Sequence, residues 1–111
     1  MSDLVARLSQ GEHPVHVSIR PQATVEAFHE CVTRGYVLVK FPNTRGGTEL
    51  GFKIDNALSD ISNADFTNKH GAVRLVGGLM LDYVKVRCVA NIDLSTLQGL
   101  GHLEPVADSV D

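Results

Sequence analysis

Three stretches in the first half of the chain alternate between apolar and polar residues, which is typical of half-buried strands. Val15–Arg20 is the first of them, and Pro21 ends it because proline cannot extend a ladder. Tyr36–Phe41 and Thr48–Asp55 follow on either side of a loop rich in glycine and polar residues. The last two stretches therefore predict a hairpin with a six-residue loop, 42–47.

Two segments instead carry apolar residues at helical spacing. Residues 2–10 predict a short N-terminal helix, with Ser2 as N-cap. Residues 24–34 predict the main amphipathic helix, with Thr24 as N-cap and Gly35 just past its end. The resulting strand–helix–strand order suggests a right-handed crossover between parallel strands. An antiparallel arrangement remains open if the two strands are not neighbours.

The most apolar stretch of the chain, Val73–Leu94, predicts two paired strands at the centre of the sheet. Gly77-Gly78 suits a two-residue turn between them. The alternation then changes phase at Asp82-Tyr83, which a regular pleat does not allow, so a β-bulge is expected there. His102–Val106 predicts a short edge strand, and residues 107–111 predict a disordered tail.

These elements predict an α+β fold with a single domain, residues 1–106. Its mostly antiparallel sheet has five or six strands, packed by the main helix and the short N-terminal helix. Helices on one face leave the other face of such a sheet partly bare, and the outward positions of Val73–Leu94 include the apolar Met80 and Val89. Exposed edges and apolar area favour self-association, so we expect a homodimer.

Composition and charge narrow the possible partners. The chain has 111 residues and a net charge of −3, with no basic cluster, so we expect no nucleic acid partner. It shows neither a signal peptide nor an apolar run long enough to cross a membrane, so we expect a cytoplasmic protein with no membrane partner. Cys31 and Cys88 are expected to be buried thiols, although a disulfide between them remains open.

We expect no metal and no cofactor. His13 and His16 lie three apart at a strand entry, where their side chains point to opposite faces. Zinc needs at least three protein ligands, and no further pair with the required spacing appears. The aspartates and asparagines of residues 55–68 lack the frame of a calcium loop and are typical of turns.

The loop after Tyr36–Phe41 is one candidate ligand site. Gly46 and Gly47 allow backbone N–H groups to line up as an anion nest, and Arg45 adds a forked positive charge. A small anion is therefore one possible ligand. The simpler interpretation is a hairpin loop whose glycines need positive φ angles.

The second candidate lies at the expected bulge. Asp82 beside Tyr83 offers a base and an oxyanion donor, and His70 in a nearby loop is a further acid–base group. Lys85 and Arg87 continue the same polar face as Tyr83 and are candidate ligand-binding residues, although such a stripe is also typical of the solvent side of a sheet.

Two functions follow as hypotheses. The first is a small binding or accessory module that acts through protein contacts or a small anionic ligand. The alternative is a cofactor-independent enzyme that uses the acid–base residues near the bulge.

Overall fold

The computed structural model describes residues 3–19, 24–44, 46–81 and 83–106 and shows the predicted α+β fold. The predicted tail, 107–111, lies outside the described residues. The elements in chain order are α1 (Asp3–Leu8), β1 (His13–Val17), α2 (Val25–Arg34), β2 (Tyr36–Phe41), β3 (Thr48–Lys53), β4 (Ala72–Leu81), β5 (Val84–Asp93) and β6 (Gln98–Pro105).

Both predicted helices are present. The Thr24 hydroxyl accepts a hydrogen bond from the Ala27 N–H at 3.1 Å, and Gly35 ends α2 in the left-handed region at φ 80°. Phe28 of α2 is fully buried, as are Val5 and Leu8 of α1. The predicted N-cap of α1, Ser2, lies outside the described residues. No helix in the described ranges is long and apolar enough to cross a membrane.

The six strands form one antiparallel sheet in the order β3-β2-β1-β6-β5-β4. Strands β1 and β2 are neighbours, with Val17 opposite Val39, so the predicted parallel crossover is wrong. The chain leaves the sheet after β1 and returns through α2 to the same end, where Ser18 donates a backbone hydrogen bond to Leu38. A long connection that folds back in this way replaces a tight hairpin turn.

The β2–β3 hairpin is as predicted. Its register runs from Tyr36 opposite Lys53 to Phe41 opposite Thr48, with the loop 42–47 between them. The apolar side chains of one phase are buried in both strands, including Phe52 of β3. Periodicity and turn residues agree here, and both are local signals.

The last strand lies between β1 and β5, so the predicted edge position is wrong. It also begins at Gln98, four residues before the predicted start. The first half of β6 shows no alternation of apolar and polar residues because it contains Gly99 and Gly101. The sequence pattern therefore did not indicate a strand there. The two glycines are needed for close packing: a Cβ on Gly99 would lie 1.7 Å from the carbonyl oxygen of Asn91.

The ladder between β4 and β5 is continuous from Ala72 opposite Asp93 to Leu81 opposite Val84. The predicted turn at Gly77-Gly78 and the predicted bulge near Asp82 are therefore both wrong. The change of phase occurs because residues 82 and 83 connect the two strands. Tyr83 takes φ 65°, while Asp82 lies outside the described residues.

The two edge strands approach each other, and the sheet is nearly closed. Just after β3, the Asp55 N–H donates to the Val76 carbonyl oxygen of β4 at 2.7 Å. The inner side of the closed sheet holds one apolar core that includes Phe28, Phe41, Phe52, Leu75 and Ile92. This closure occupies part of each edge that the homodimer argument relied on, and Val89, which was expected to add exposed apolar area, is buried. The homodimer stays a prediction, to be tested by sedimentation velocity at tens of micromolar protein.

Candidate functional site

A groove of about 400 Å³ lies on the outer face of the sheet beside the β4–β5 hairpin. We call it the hairpin groove. Its size falls in the range of small-molecule sites. It is lined by Asp55, Gly78, Leu79, Met80, Lys85, Val86, Arg87 and Val106.

The groove exists because one position on the outer face has no side chain. Gly78 lies directly opposite Arg87, between the outward positions of Val76 and Met80 on β4. A Cβ on Gly78 would meet its nearest atom, the Val86 carbonyl oxygen, only at 3.9 Å. The space above Gly78 is therefore open, and its neighbours form the walls.

Two cations and two apolar side chains surround this space. Lys85 and Arg87 alternate on β5 and so point to the same face of the sheet. Met80 and Val106 are 59% and 38% exposed. The Val106 N–H donates to the Lys85 carbonyl oxygen at 2.9 Å, which holds the end of β6 against the groove. The structure thus brings the predicted pair Lys85 and Arg87 together at one site.

A row of charged groups continues from the groove across β6. Arg87 Nη1 lies 3.7 Å from Glu104 Oε1, and Glu104 Oε2 lies 3.0 Å from His102 Nε2. His102 Nδ1 is within hydrogen-bond distance of a carboxylate oxygen of Glu12, in the segment before β1. The row therefore links the hairpin groove to the opposite side of β6.

These contacts shift the ionisation of two groups. Partial burial lowers the pKa of His102, but the hydrogen bonds and charges of Glu104 and Glu12 raise it by more, so it lies above its ordinary value. The hydrogen bond from His102 lowers the pKa of Glu104, and the positive charges of Arg87 and Arg74 act in the same direction. Each partner thus favours the charged form of the other.

The predicted acid–base residues do not converge. Tyr83 is 97% exposed at the tip of the β4–β5 hairpin. His70 precedes β4 and exchanges backbone hydrogen bonds with Asp65 at the opposite end of that strand. Ten residues of β4 at about 3.3 Å each separate the two side chains by roughly 30 Å. Tyr83 and His70 cannot act on the same substrate atom, and Asp82 lies outside the described residues.

The predicted anion nest lies elsewhere, in the loop 42–47. Gly46 and Gly47 have φ angles of 73° and 75°, as a hairpin loop requires. The Gly47 N–H donates to the Thr44 carbonyl oxygen at 2.9 Å, so the turn itself uses this donor. Arg45 lies outside the described residues, and the nest stays a prediction.

A second cavity, also of about 400 Å³, lies between α2 and β2 and was not predicted from the sequence. Arg34 there donates to the sulfur of Cys31 at 3.8 Å, and Tyr36 and Leu38 add to the wall. It has one cation where the hairpin groove has two. The hairpin groove is therefore the better site for an anion.

The two cysteines and the loop aspartates Asp60 and Asp65 lie outside the hairpin groove. Cys31 and Cys88 are free thiols. Cys88 is buried as predicted, and burial raises its pKa to about 12, whereas the prediction of a buried Cys31 is wrong because its side chain is half-buried. Asp60 and Asp65 accept hydrogen bonds from Ser62 and Asn68 in their own loops, which lowers the pKa of each carboxyl. Across the described part of the chain, no three His, Cys, Asp or Glu residues are grouped so as to hold a metal ion.

No protein-family model matches this chain, and no curated protein is significantly similar to it in sequence. The hairpin groove is the feature from which a function is inferred.

Proposed function

We propose that the protein is a small binding module and that its hairpin groove takes an amphipathic anion. The ligand class is an apolar molecule with a single carboxylate, sulfonate or similar group. The observation that carries this proposal is the placement of Lys85 and Arg87 beside the open space above Gly78.

The surrounding charges favour one negative charge on the ligand over several. Lys85 and Arg87 supply two positive charges, while Asp55 lines the groove and Glu104 contacts Arg87. A ligand with many charges would be repelled by these carboxylates. A monoanion can pair with Arg87, whose planar guanidinium suits bidentate hydrogen bonds to an oxyanion.

The apolar wall of the groove favours a ligand whose remaining part is also apolar. Met80 and Val106 expose hydrocarbon beside the cations, and covering them gains about 25 cal/mol per Å². A ligand of about 20 non-hydrogen atoms at about 0.3 kcal/mol per atom binds with about 6 kcal/mol. We therefore expect a dissociation constant of tens of micromolar.

An aromatic sulfonate, 1-anilinonaphthalene-8-sulfonate, is the probe of choice because it has an apolar body and one fixed negative charge. Its fluorescence on titration with the folded protein reports binding. We expect Arg87→Gln to weaken this binding about tenfold, since an ionic hydrogen bond contributes about 1.5 kcal/mol. Gly78→Val should abolish binding, because its side chain fills the floor of the groove.

The matched control is Lys40→Gln, which removes one positive charge from β2, outside the groove lining. It changes the net charge of the protein as Arg87→Gln does, and we expect it to leave binding unchanged. Equal weakening by Lys40→Gln and Arg87→Gln would show non-specific charge attraction and overturn the proposal. Full binding by the folded Gly78→Val protein would also overturn it.

A further inference from the structure

A single carboxylate, that of Glu104, is shared between the groove and a histidine. Its Oε1 faces Arg87 at 3.7 Å, and its Oε2 faces His102 Nε2 at 3.0 Å. The side chain of Glu104 is 46% exposed and contacts both partners at once. Arg87 belongs to the hairpin groove, whereas His102 lies one outward position earlier on β6.

The contacts of His102 differ between its neutral and its protonated state. Both ring nitrogens face carboxylates, Nδ1 that of Glu12 and Nε2 that of Glu104. A neutral imidazole has one N–H and can donate to only one of them, whereas the protonated ring donates to both. Loss of the proton therefore breaks one of the two hydrogen bonds. The contact of Nδ1 with Glu12 is the shorter of the two, so we expect the neutral ring to keep its N–H there and to lose the bond to Glu104.

The residues that face His102 from the neighbouring elements are charged on most sides. Glu12 comes from the segment between α1 and β1, and Glu104 from β6 itself. On β5 the residue opposite His102 is the apolar Val89, and Arg87 follows on the same face. Arg74 of β4 acts on Glu104 through its charge. Glu12 and Glu104 attract the proton, and Arg87 competes with it for Glu104.

We infer that His102 sets the affinity of the hairpin groove for its anion according to pH. The protonated ring holds the Glu104 carboxylate and leaves Arg87 to the ligand. The neutral ring releases Glu104, which then neutralises Arg87 and competes with the ligand for the same guanidinium. Acidification strengthens anion binding. The inference rests on the proposed function, because it requires the anion to contact Arg87.

Linkage makes the effect of protonation on binding and the effect of binding on protonation equal in size. If protonation strengthens anion binding, the bound anion must raise the proton affinity of His102 by the same factor. The contacts are partly exposed, so the factor is modest, about two- to fivefold. The change in affinity spans the pH range in which His102 titrates, above the ordinary histidine value.

The test is the titration of the same aromatic sulfonate from about pH 5 to about pH 8.5, a range in which a sulfonate stays ionised while histidine titrates. We expect the affinity of the unmodified protein to fall about two- to fivefold as the pH rises. His102→Gln and Glu104→Gln should each remove this dependence, and Glu104→Gln should bind tightly at every pH. His16→Gln, on the outer face of β1, is the matched control and should keep the pH dependence of binding.

A second readout is the titration of the His102 ring followed by NMR. Saturating sulfonate should raise the pKa of His102 in the unmodified protein and leave it unchanged in Arg87→Gln. The inference is overturned if groove binding is intact but its pH dependence survives in His102→Gln or in Glu104→Gln. If the pH dependence of binding persists only in Glu104→Gln, the charge of His102 acts on the groove at long range and not through Glu104. If instead Arg87→Gln and Gly78→Val bind as well as the unmodified protein, the proposed function fails first.

Discussion

Gly77 lies against the backbone of Lys53 at the point where the two edges of the sheet meet. A Cβ on Gly77 would lie 2.1 Å from the Lys53 carbonyl oxygen and 2.3 Å from Cδ2 of the buried Phe52. Neither atom is the free end of a flexible side chain. We expect Gly77→Ala to destabilise the protein by about 3 kcal/mol through overpacking, as measured by urea denaturation.

The next residue supplies the control for that experiment. Gly78→Ala places its new Cβ 3.9 Å from the nearest atom, the Val86 carbonyl oxygen, in ordinary contact. Alanine in a strand is more favourable than glycine by about 0.5–1 kcal/mol, so this protein should be equally stable or slightly more stable. Equal destabilisation by both substitutions would contradict the close approach of β4 to Lys53.

Tyr83 occupies a backbone conformation that favours glycine. Its φ is 65° and its side chain is 97% exposed. Tyr83→Gly relieves about 1–2 kcal/mol of left-handed strain and loses about 0.5–1 kcal/mol to the entropy of the unfolded chain. We expect a net gain of about 0.5–1 kcal/mol in the free energy of unfolding by urea. A loss of stability would indicate that the tyrosine ring makes a stabilising contact.

The stability of the protein should depend on pH through His102 and Glu104. The pKa of His102 is raised, so its contribution is complete below about 6.5 and is lost as pH rises through the folded value. The pKa of Glu104 is lowered, so its contribution is complete above about 4.5 and is lost as pH falls through the folded value. His102→Gln should therefore destabilise most between these limits, by less than about 1 kcal/mol because the contacts are partly exposed.

Urea denaturation at about pH 5.5 and about pH 8.5 measures this difference, on either side of the usual histidine range. The effect of His102→Gln should be larger at the lower pH. A larger effect of His102→Gln at the higher pH would have the wrong sign and contradict a raised pKa for His102.

The two thiols should differ in reactivity. Cys88 is fully buried and burial raises its pKa to about 12, so it holds almost no thiolate, the reactive form, at neutral pH. Cys31 is half-buried beside Arg34. Titration with an aromatic disulfide should label one thiol per folded chain and both in urea. Cys31→Ser should abolish the native-state reaction, whereas rapid labelling of Cys88 in that protein would contradict its burial.

The parts of the fold that follow from local signals were predictable. The ends of α2 at Thr24 and Gly35 were predictable because capping depends on a few adjacent residues. The β2–β3 hairpin follows from two alternating runs around one loop. In both cases the residues that decide the structure are close in sequence.

Gly77-Gly78 does not form the predicted turn, because a glycine pair favours either a turn or a close backbone approach. The structure uses Gly77 for the approach to Lys53, a residue far away in the sequence. The real turn contains no glycine, and its only sequence signal was the change of phase at residues 82 and 83. A two-residue connection and a bulge produce the same change of phase.

The site was predictable only along a single strand. Lys85 and Arg87 share a face of β5 because they alternate, and the sequence identified both. Asp55 and Val106 reach the groove through the closure of the sheet and the length of β6. The role of Glu104 depends on the pairing of β5 with β6, which no local pattern specifies.

The strand order has a consequence for how the chain folds during synthesis. Strands β1 to β3 and strands β4 to β6 each form a sequential set, and only the pairing of β1 with β6 joins the two sets inside the sheet. A ribosome makes β6 last, so β1 must wait with one edge unpaired while most of the chain emerges. Until Gln98–Pro105 is free of the ribosome, the nascent chain presents two open half-sheets, which is the stage at which it is most exposed to aggregation.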